Sequence, residues 1–209
     1  MRIKPTRQQW HVILVLGIFA LIYASISLVN HWNFRTSGFD LGIFNHALND
    51  YAHFRWNTPT LLTMGNRDIA NILGDHFSLY VLFFSPFRWI FGSYTLLIFQ
   101  IAAVLFGGYG IYRLIYWYNN CHRFALAAML HFFLLWGIYS ALSFDYHNNV
   151  VGAMLVPWFL LYAMRQQWRY ALIFFGLILV GKENMAVWLV FINLGLLIHF
   201  FHKRRPMLI

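Results

Sequence analysis

Phe77-Ser78-Leu79-Tyr80-Val81-Leu82-Phe83-Phe84-Ser85-Pro86-Phe87-Arg88-Trp89-Ile90-Phe91 decides how this chain is threaded. The run is apolar, but Ser85, Pro86 and Arg88 interrupt it and Gly92 follows. A membrane-spanning helix needs about 20 predominantly apolar residues, and shorter runs tend to be interfacial or re-entrant. If the run crosses a membrane, everything after it changes sides. If it does not, everything after it keeps its side.

That a membrane is involved follows from composition. The chain of 209 residues is 61% hydrophobic and 10% charged. A soluble domain carries about 25% charged residues, so water is the wrong solvent for this surface. The aromatic side chains, including nine Trp, suit membrane interfaces. The net charge of +9 would fit a nucleic-acid partner, but the basic residues cluster between apolar runs, and topology explains them without nucleic acid. A single cysteine, Cys121, excludes an internal disulfide.

Upstream, His11–Asn30 is a helix-length apolar run bracketed by Trp10 and Trp32 and preceded by Arg2, Lys4 and Arg7. Its length and the lack of a small-residue cleavage site favour a retained anchor over a signal peptide. Downstream lie Tyr94–Tyr112, Phe124–Ser143, Val150–Met164, Tyr170–Gly181 and Met185–Phe201. With 77–91 held non-spanning, one side of the membrane receives Arg2, Lys4, Arg7, Arg113, Arg123, Arg165, Arg169, Lys203, Arg204 and Arg205. The other side receives Arg35, Arg55, Arg67, Arg88 and Lys182 together with Asp40, Asp50, Asp68, Asp75, Asp145 and Glu183. The positive-inside rule makes the first side cytoplasmic. The expectation is an all-α integral membrane protein of about six transmembrane helices, with interfacial helices in a long first outer loop and both ends cytoplasmic. Its place is the inner membrane. The whole of 1–209 reads as a single transmembrane domain. Met207-Leu208-Ile209 after Pro206 looks like the start of a further helix, so the domain is expected to be the amino-terminal part of a larger one.

Tyr170–Gly181 is short for a span, rising only about 18 Å. Lys182 and Glu183 therefore fall at membrane depth, either as an ion pair that fixes the hairpin or as charged groups at the floor of an outward cavity.

In the first loop, Leu41, Phe44 and Leu48 recur at helical spacing, which predicts an amphipathic helix on the outer leaflet. Asp40 begins it, with Ser37 as its N-cap. A carboxylate there either serves the helix end or acts as a general base or metal ligand. Asp75 and His76 diverge by about 100° on a helix, which makes them poor joint ligands, and N-capping by Asp75 is the plainer alternative. Asp145 and His147 are two apart, so an extended turn points them the same way. A plain polar turn is the alternative there. Gly107-Gly108-Tyr109-Gly110 lies inside a span and reads as close helix packing. His131 reads as a hydrogen-bonded packing residue. Nucleophile-elbow, Walker and CxxC sequences are absent from the sequence.

Taken in order, Phe39-Asp40-Leu41-Gly42-Ile43-Phe44, Gly74-Asp75-His76-Phe77-Ser78, Phe144-Asp145-Tyr146-His147 and Lys182-Glu183 resemble the landmarks of a family of predicted bacterial membrane proteins. Members of that family are similar to GT-C glycosyltransferases, which use polyprenyl-phosphate sugars. The resemblance covers nearly the whole chain but only the amino-terminal half of a typical member. Leu79 stands where the family more often has proline, and Tyr146 where phenylalanine is commoner. What the resemblance implies is a GT-C-like core with its site on the outer face and a polyprenyl-phosphate sugar and membrane lipid as partners. Asp40 matches the acidic residue of the first outer loop that serves catalysis there, and Lys182 looks placed for a lipid-linked phosphate. Asp75, His76, Asp145, His147 and Glu183 are further substrate-binding candidates. The metal is unknown, with a divalent cation as a candidate cofactor. A transporter or flippase with Lys182 and Glu183 as its site is the rival, and a non-catalytic membrane subunit the third reading.

Overall fold

Thr6 opens the first helix by accepting a hydrogen bond from the Gln9 N–H, while the Gln9 side chain accepts from the Thr6 N–H. This reciprocal cap satisfies two donors that a helix end leaves orphaned. The structure, a computed structural model, describes residues 6–57 and 71–204. Arg2, Lys4, Arg67, Asp68, Arg205 and the stretch from Pro206 on lie outside the described residues. Among the described residues all regular structure is helical.

Helix α1 (Arg7–Trp32) buries one stripe, Val12, Phe19, Tyr23 and Ser27, and leaves Ile13, Leu14, Ile18 and Leu21 exposed. Then come a π-helical turn (Gly38–Gly42), α2 (Ile43–Ala52), α3 (Ile72–Asp75), α4 (Tyr80–Phe84), a 3-10 turn (Ser85–Phe87) and α5 (Arg88–Phe91). A second 3-10 turn (Gly92–Tyr94) leads into α6 (Thr95–Asn119). The remaining helices are α7 (His122–Leu134), α8 (Trp136–Phe144), α9 (Asn148–Ala153), α10 (Val156–Met164), α11 (Trp168–Leu179) and α12 (Met185–Arg204). Helix α6 is the hub, packing on α1, α7, α9 and α10. Glycines make these approaches possible. A Cβ on Gly107 would sit 2.9 Å from the Met154 sulfur, and one on Gly110 2.7 Å from the Trp158 indole nitrogen. One on Gly108 would overlap the Phe133 ring. The glycine cluster is therefore a packing device, as its place inside a span implied.

Among the described residues three helical runs are long and apolar enough to cross a membrane: Arg7–Trp32, Tyr80–Asn119 and Met185–His202. A fourth arises if His122–Leu134 and Trp136–Phe144, bent by 44°, form one broken span. Length and composition thus support three to four crossings rather than the expected six or so. The shortfall lies in Asn148–Met164 and Trp168–Leu179, which are apolar but short.

The Tyr80–Asn119 run is not one straight rod. Gly92 adopts φ +57 and ψ −135, a conformation that side chains with a Cβ avoid. The Phe84 ring stacks on Phe99 with centroids 4.1 Å apart, and Phe87 meets the same ring at 4.9 Å. A straight α-helix would hold residues 84 and 99 about 22 Å apart. Residues 80–91 therefore fold back along α6 instead of extending it.

Helix α2 lies on this folded-back segment. Leu41, Ile43, Ala47 and Leu48 form a core with Tyr80, Val81, Leu96, Leu97 and Tyr146. The amphipathic pattern is present, but its apolar face is occupied by protein rather than laid open on a leaflet. His131, expected to be hydrogen-bonded in packing, is exposed.

Candidate functional site

Two polar constellations assemble from the four motifs. The first is built on Gln100, a side chain with no exposed surface in the second turn of α6. Its amide donates to the Asp145 carbonyl at 2.7 Å, and its carbonyl accepts from the His147 N–H at 2.7 Å. Gln100 thereby supplies both partners that the extended backbone between α8 and α9 would otherwise lack. Asp145 and His147 have extended dihedrals. The turn is not a solvent-facing one, however: Asp145 is 1% exposed and Tyr146 is fully buried. Tyr146 donates to Asn148 Oδ1 at 2.7 Å and packs edge-on against Phe44 of α2.

The Asp145 carboxylate reaches into the first loop. Its Oδ2 accepts from the Ser37 N–H at 2.8 Å, where the helical run carrying Asp40 begins. Ser37 caps that run through its side chain, accepting from the Phe39 N–H. Asp40 does not close a capping box, because Asp145 holds the Ser37 N–H that such a box would use. Burial pushes the Asp145 carboxyl above its ordinary value, and the nearby Asp40 charge adds to this. The Ser37 and Leu41 N–H groups and the charge of His147 pull the other way. Oδ1 of Asp145 is buried without a good hydrogen bond. Asp40 itself is half-buried. On the other flank, His31 bridges the Thr36 and Ser93 hydroxyls at 3.0 and 2.9 Å, tying the end of α1 to the start of α6.

The second constellation joins the Gly74–Ser78 stretch to the turn between α11 and α12. His76 Nδ1 lies 3.0 Å from Glu183 Oε1, and its Nε2 lies 3.9 Å from Asp75 Oδ2. The imidazole therefore sits between two carboxylates, one at each nitrogen. The Leu79 N–H donates to the Val180 carbonyl at 3.0 Å, and the Tyr80 hydroxyl to the Leu177 carbonyl at 2.7 Å. Tyr80 fits because residue 181 is glycine: a Cβ there would lie 2.9 Å from the phenol. Two expectations are corrected here. Asn71, not Asp75, caps α3, and Asp75 is the last residue of that helix. Glu183 pairs with His76, and among the described residues no ion pair joins it to Lys182. Slight burial works upward on Glu183. Its own N–H, the His76 bond and the Lys182 charge outweigh that and hold its carboxyl below the ordinary value.

Asp75, His76, Glu183 and Lys182 are thus gathered in one place, and Asp40, Asp145 and His147 in another. The buried core around Tyr80, Tyr146 and Leu41 lies between them. No hydrogen bond or ion pair links Asp40 to Lys182 among the described residues. Next to the second group, Asn184 and Met185 line a cavity of about 340 Å³ that runs between α6, α7, α8, α9 and α12. Its walls are largely apolar, with Phe132, Leu135 and Trp188 among them, and Asn149 stands in the lining with a buried, unpartnered amide oxygen. The break at Leu135 between α7 and α8 forms part of the wall. Neither Asp40 nor Lys182 lines this cavity. Among the described residues, no three His, Cys, Asp or Glu side chains stand close enough to hold a metal ion.

A fifth acid, Asp50, has a structural task. Its oxygens take the Arg55 guanidinium and the Asn57 amide, each at 3.0 Å, and Asn71 reaches the Asn57 carbonyl at 2.8 Å. Gln100, Asn57 and Asn71 escaped the sequence reading. Gln100 did carry a signal, as the one amide within Thr95–Phe106, where a polar side chain needs a buried partner.

Helices of this length and apolarity, joined by loops that carry the acids, define a multi-helix integral membrane protein. The chain belongs to the family described as Predicted membrane protein (DUF2079), whose model matches residues 30–208. No curated protein and no solved structure matches it.

Proposed function

We propose that this chain carries the site of a GT-C-like membrane glycosyltransferase that takes a sugar from a polyprenyl-phosphate donor. The observation that carries the reading is the meeting of Asp75 and His76 with Lys182 and Glu183. These motifs lie 107 positions apart yet share the 3.0 Å His76–Glu183 contact, and the next residues line an apolar cavity. A charged cluster beside an apolar cavity suits an amphiphile whose phosphate stays polar and whose chain enters the bilayer. Lys182 neutralises the donor phosphate as the bond from the anomeric carbon to the phosphate oxygen breaks. The acceptor hydroxyl attacks that carbon, its proton passes to Asp40, and polyprenyl phosphate leaves. Asp145 holds the turn that presents Asp40. Asp40 and Lys182 do not touch, so the donor and acceptor together bridge the two groups. On this reading the loops face outward from an inner membrane, both ends are cytoplasmic, and the two short helices complete about six crossings. If a divalent cation takes part, it binds with the donor phosphate.

The test is transfer of radiolabelled sugar from a polyprenyl-phosphate donor by purified protein in lipid nanodiscs. Lys182→Ala should weaken donor binding, and Asp40→Asn should slow transfer while donor binding persists. Donor binding without transfer would replace the enzymatic reading with a transporter or a non-catalytic subunit.

A further inference from the structure

Two helices end in the same unusual way. At the end of α1, the Arg35 N–H bonds the Asn30 carbonyl at 2.9 Å and the Phe34 N–H bonds His31 at 3.1 Å. At the end of α2, the Arg55 N–H bonds Asp50 at 2.8 Å and the Phe54 N–H bonds Tyr51 at 3.1 Å. Both are Schellman caps, in which the residue after the cap turns left-handed. Glycine is the usual occupant because it carries no Cβ penalty. Here the occupants are Phe34 at φ +56 and Phe54 at φ +55. Among the described residues neither ring is used in packing: Phe34 is 96% exposed and Phe54 98% exposed. Each is followed by an arginine on the surface, Arg35 and Arg55.

A bulky residue in a strained conformation, with its side chain touching nothing, implies a task outside the molecule. The opposite ends of the bundle provide the comparison. The left-handed residues after α6 and α10 are Asn120 and Gln166, both polar. The aromatic choice is thus confined to the loop side. Helix α1 rises about 39 Å, more than the roughly 30 Å hydrocarbon core, so Phe34 falls at the loop-side interface. Just before Phe54, the His53 ring meets Trp89 in a tilted contact at 4.7 Å, and the Trp89 indole donates to the Ala52 carbonyl. Trp32, Phe39, Trp56, Trp89 and Ile90 are all exposed around the pair.

We propose that Phe34-Arg35 and Phe54-Arg55 form a two-point anchor that seats the first loop in the phospholipid interface on the loop side of the membrane. The rings enter the boundary between headgroups and acyl chains, where aromatic side chains are favoured. The Arg35 guanidinium meets a lipid phosphate, which its fork geometry suits, while that of Arg55, held by Asp50 at 3.0 Å, turns its remaining N–H groups to the headgroups. The anchor would fix the height of α2, and so of the Asp40 turn, relative to the bilayer.

The experiment uses the full chain with Cys121→Ser, reconstituted in phosphatidylethanolamine–phosphatidylglycerol vesicles. Single cysteines at Phe34, Phe54, Phe39 or Gln166 carry a nitroxide, and power saturation compares collisions with oxygen and with a nickel chelate. Labels at 34 and 54 should favour oxygen, and the label at 166 should favour nickel. With the label at 39, the double change Phe34→Gly and Phe54→Gly should move it toward water. Glycine suits both caps, so folding is not at risk in that variant. Labels at 34 and 54 as open to nickel as the one at 166, or shielded from both reagents by protein, would overturn the proposal. An unmoved label at 39 would overturn it as well.

Discussion

Replacing Gly108 with alanine would put a methyl group where the Phe133 ring already stands. That ring has no exposed surface, packs on Phe19 at a centroid distance of 4.9 Å, and belongs to the residue whose carbonyl accepts the Tyr23 hydroxyl at 2.8 Å. It has little room to swing, so the cost falls toward the upper end of the ~1–3 kcal/mol typical of overpacking. Alanine regains about 1 kcal/mol of helix propensity over glycine. The net loss is about 2 kcal/mol. For a chain of this size, 1 kcal/mol moves the unfolding midpoint by about 2–4 °C, so Gly108→Ala should lower it by about 4–8 °C. Gly176→Ala in α11 is the matched control, because nothing lies within 4 Å of its added methyl. It should raise the midpoint by a few degrees. Thermal unfolding of the detergent-purified protein, followed by the monodisperse fraction on size exclusion, gives both numbers. A Gly108→Ala midpoint at or above wild type would refute the packing assignment.

Gln100→Leu should leave the Asp145 carbonyl and the His147 N–H buried without partners, costing about 2–4 kcal/mol and exposing the 145–147 turn to proteolysis. Asp145 has a folded pKa raised from about 3.8, so its buried charge destabilises the fold increasingly as pH rises through that folded value. Asp145→Asn should therefore gain stability over wild type from low to neutral pH, and a stability difference flat with pH would count against the burial argument. Glu183 behaves in the opposite sense. Its folded pKa lies below about 4.5, so its contact with His76 is fully present above that value and fades as pH falls through the folded pKa. Hydrogen exchange over residues 72–80 should quicken on acidification in wild type and stay level in Glu183→Gln.

The membrane class was legible because composition and run length report directly on solvent. So was the interrupted character of 77–91, since Pro86 and Gly92 are local signals that need no tertiary context. The close glycine packing was legible for the same reason. The number of crossings was not, because hydropathy marks Val150–Met164 and Tyr170–Gly181 as apolar without saying whether they reach across. The bend at Leu135 was not read either: the local signal is faint, a single glycine at 137 just past the break and no proline. Among candidate residues, Asp145 could be named, but its burial could not be foreseen. That depends on Gln100, which is 45 positions away and meets the loop only after α7 and α8 have folded alongside α6. The His76–Glu183 contact is hidden in the same way, since neither residue has a local reason to seek the other.

The reach of these contacts along the chain sets an order of assembly during synthesis. Ser37 waits for Asp145, 108 positions later, and His76 waits for Glu183, 107 positions later. At about 5–20 residues per second, each wait lasts roughly 5–20 s. During that time α1 and α6 can already begin to pair, and Phe133 joins their shared core once α7 is made. The first loop is therefore expected to be the last part to lock, although it is among the first to be made. A nascent chain arrested before residue 145 should leave a cysteine at position 37 open to labelling, and one arrested well past residue 183 should shield it. A cysteine already shielded in the shorter chain would mean that the loop closes without its distant partner.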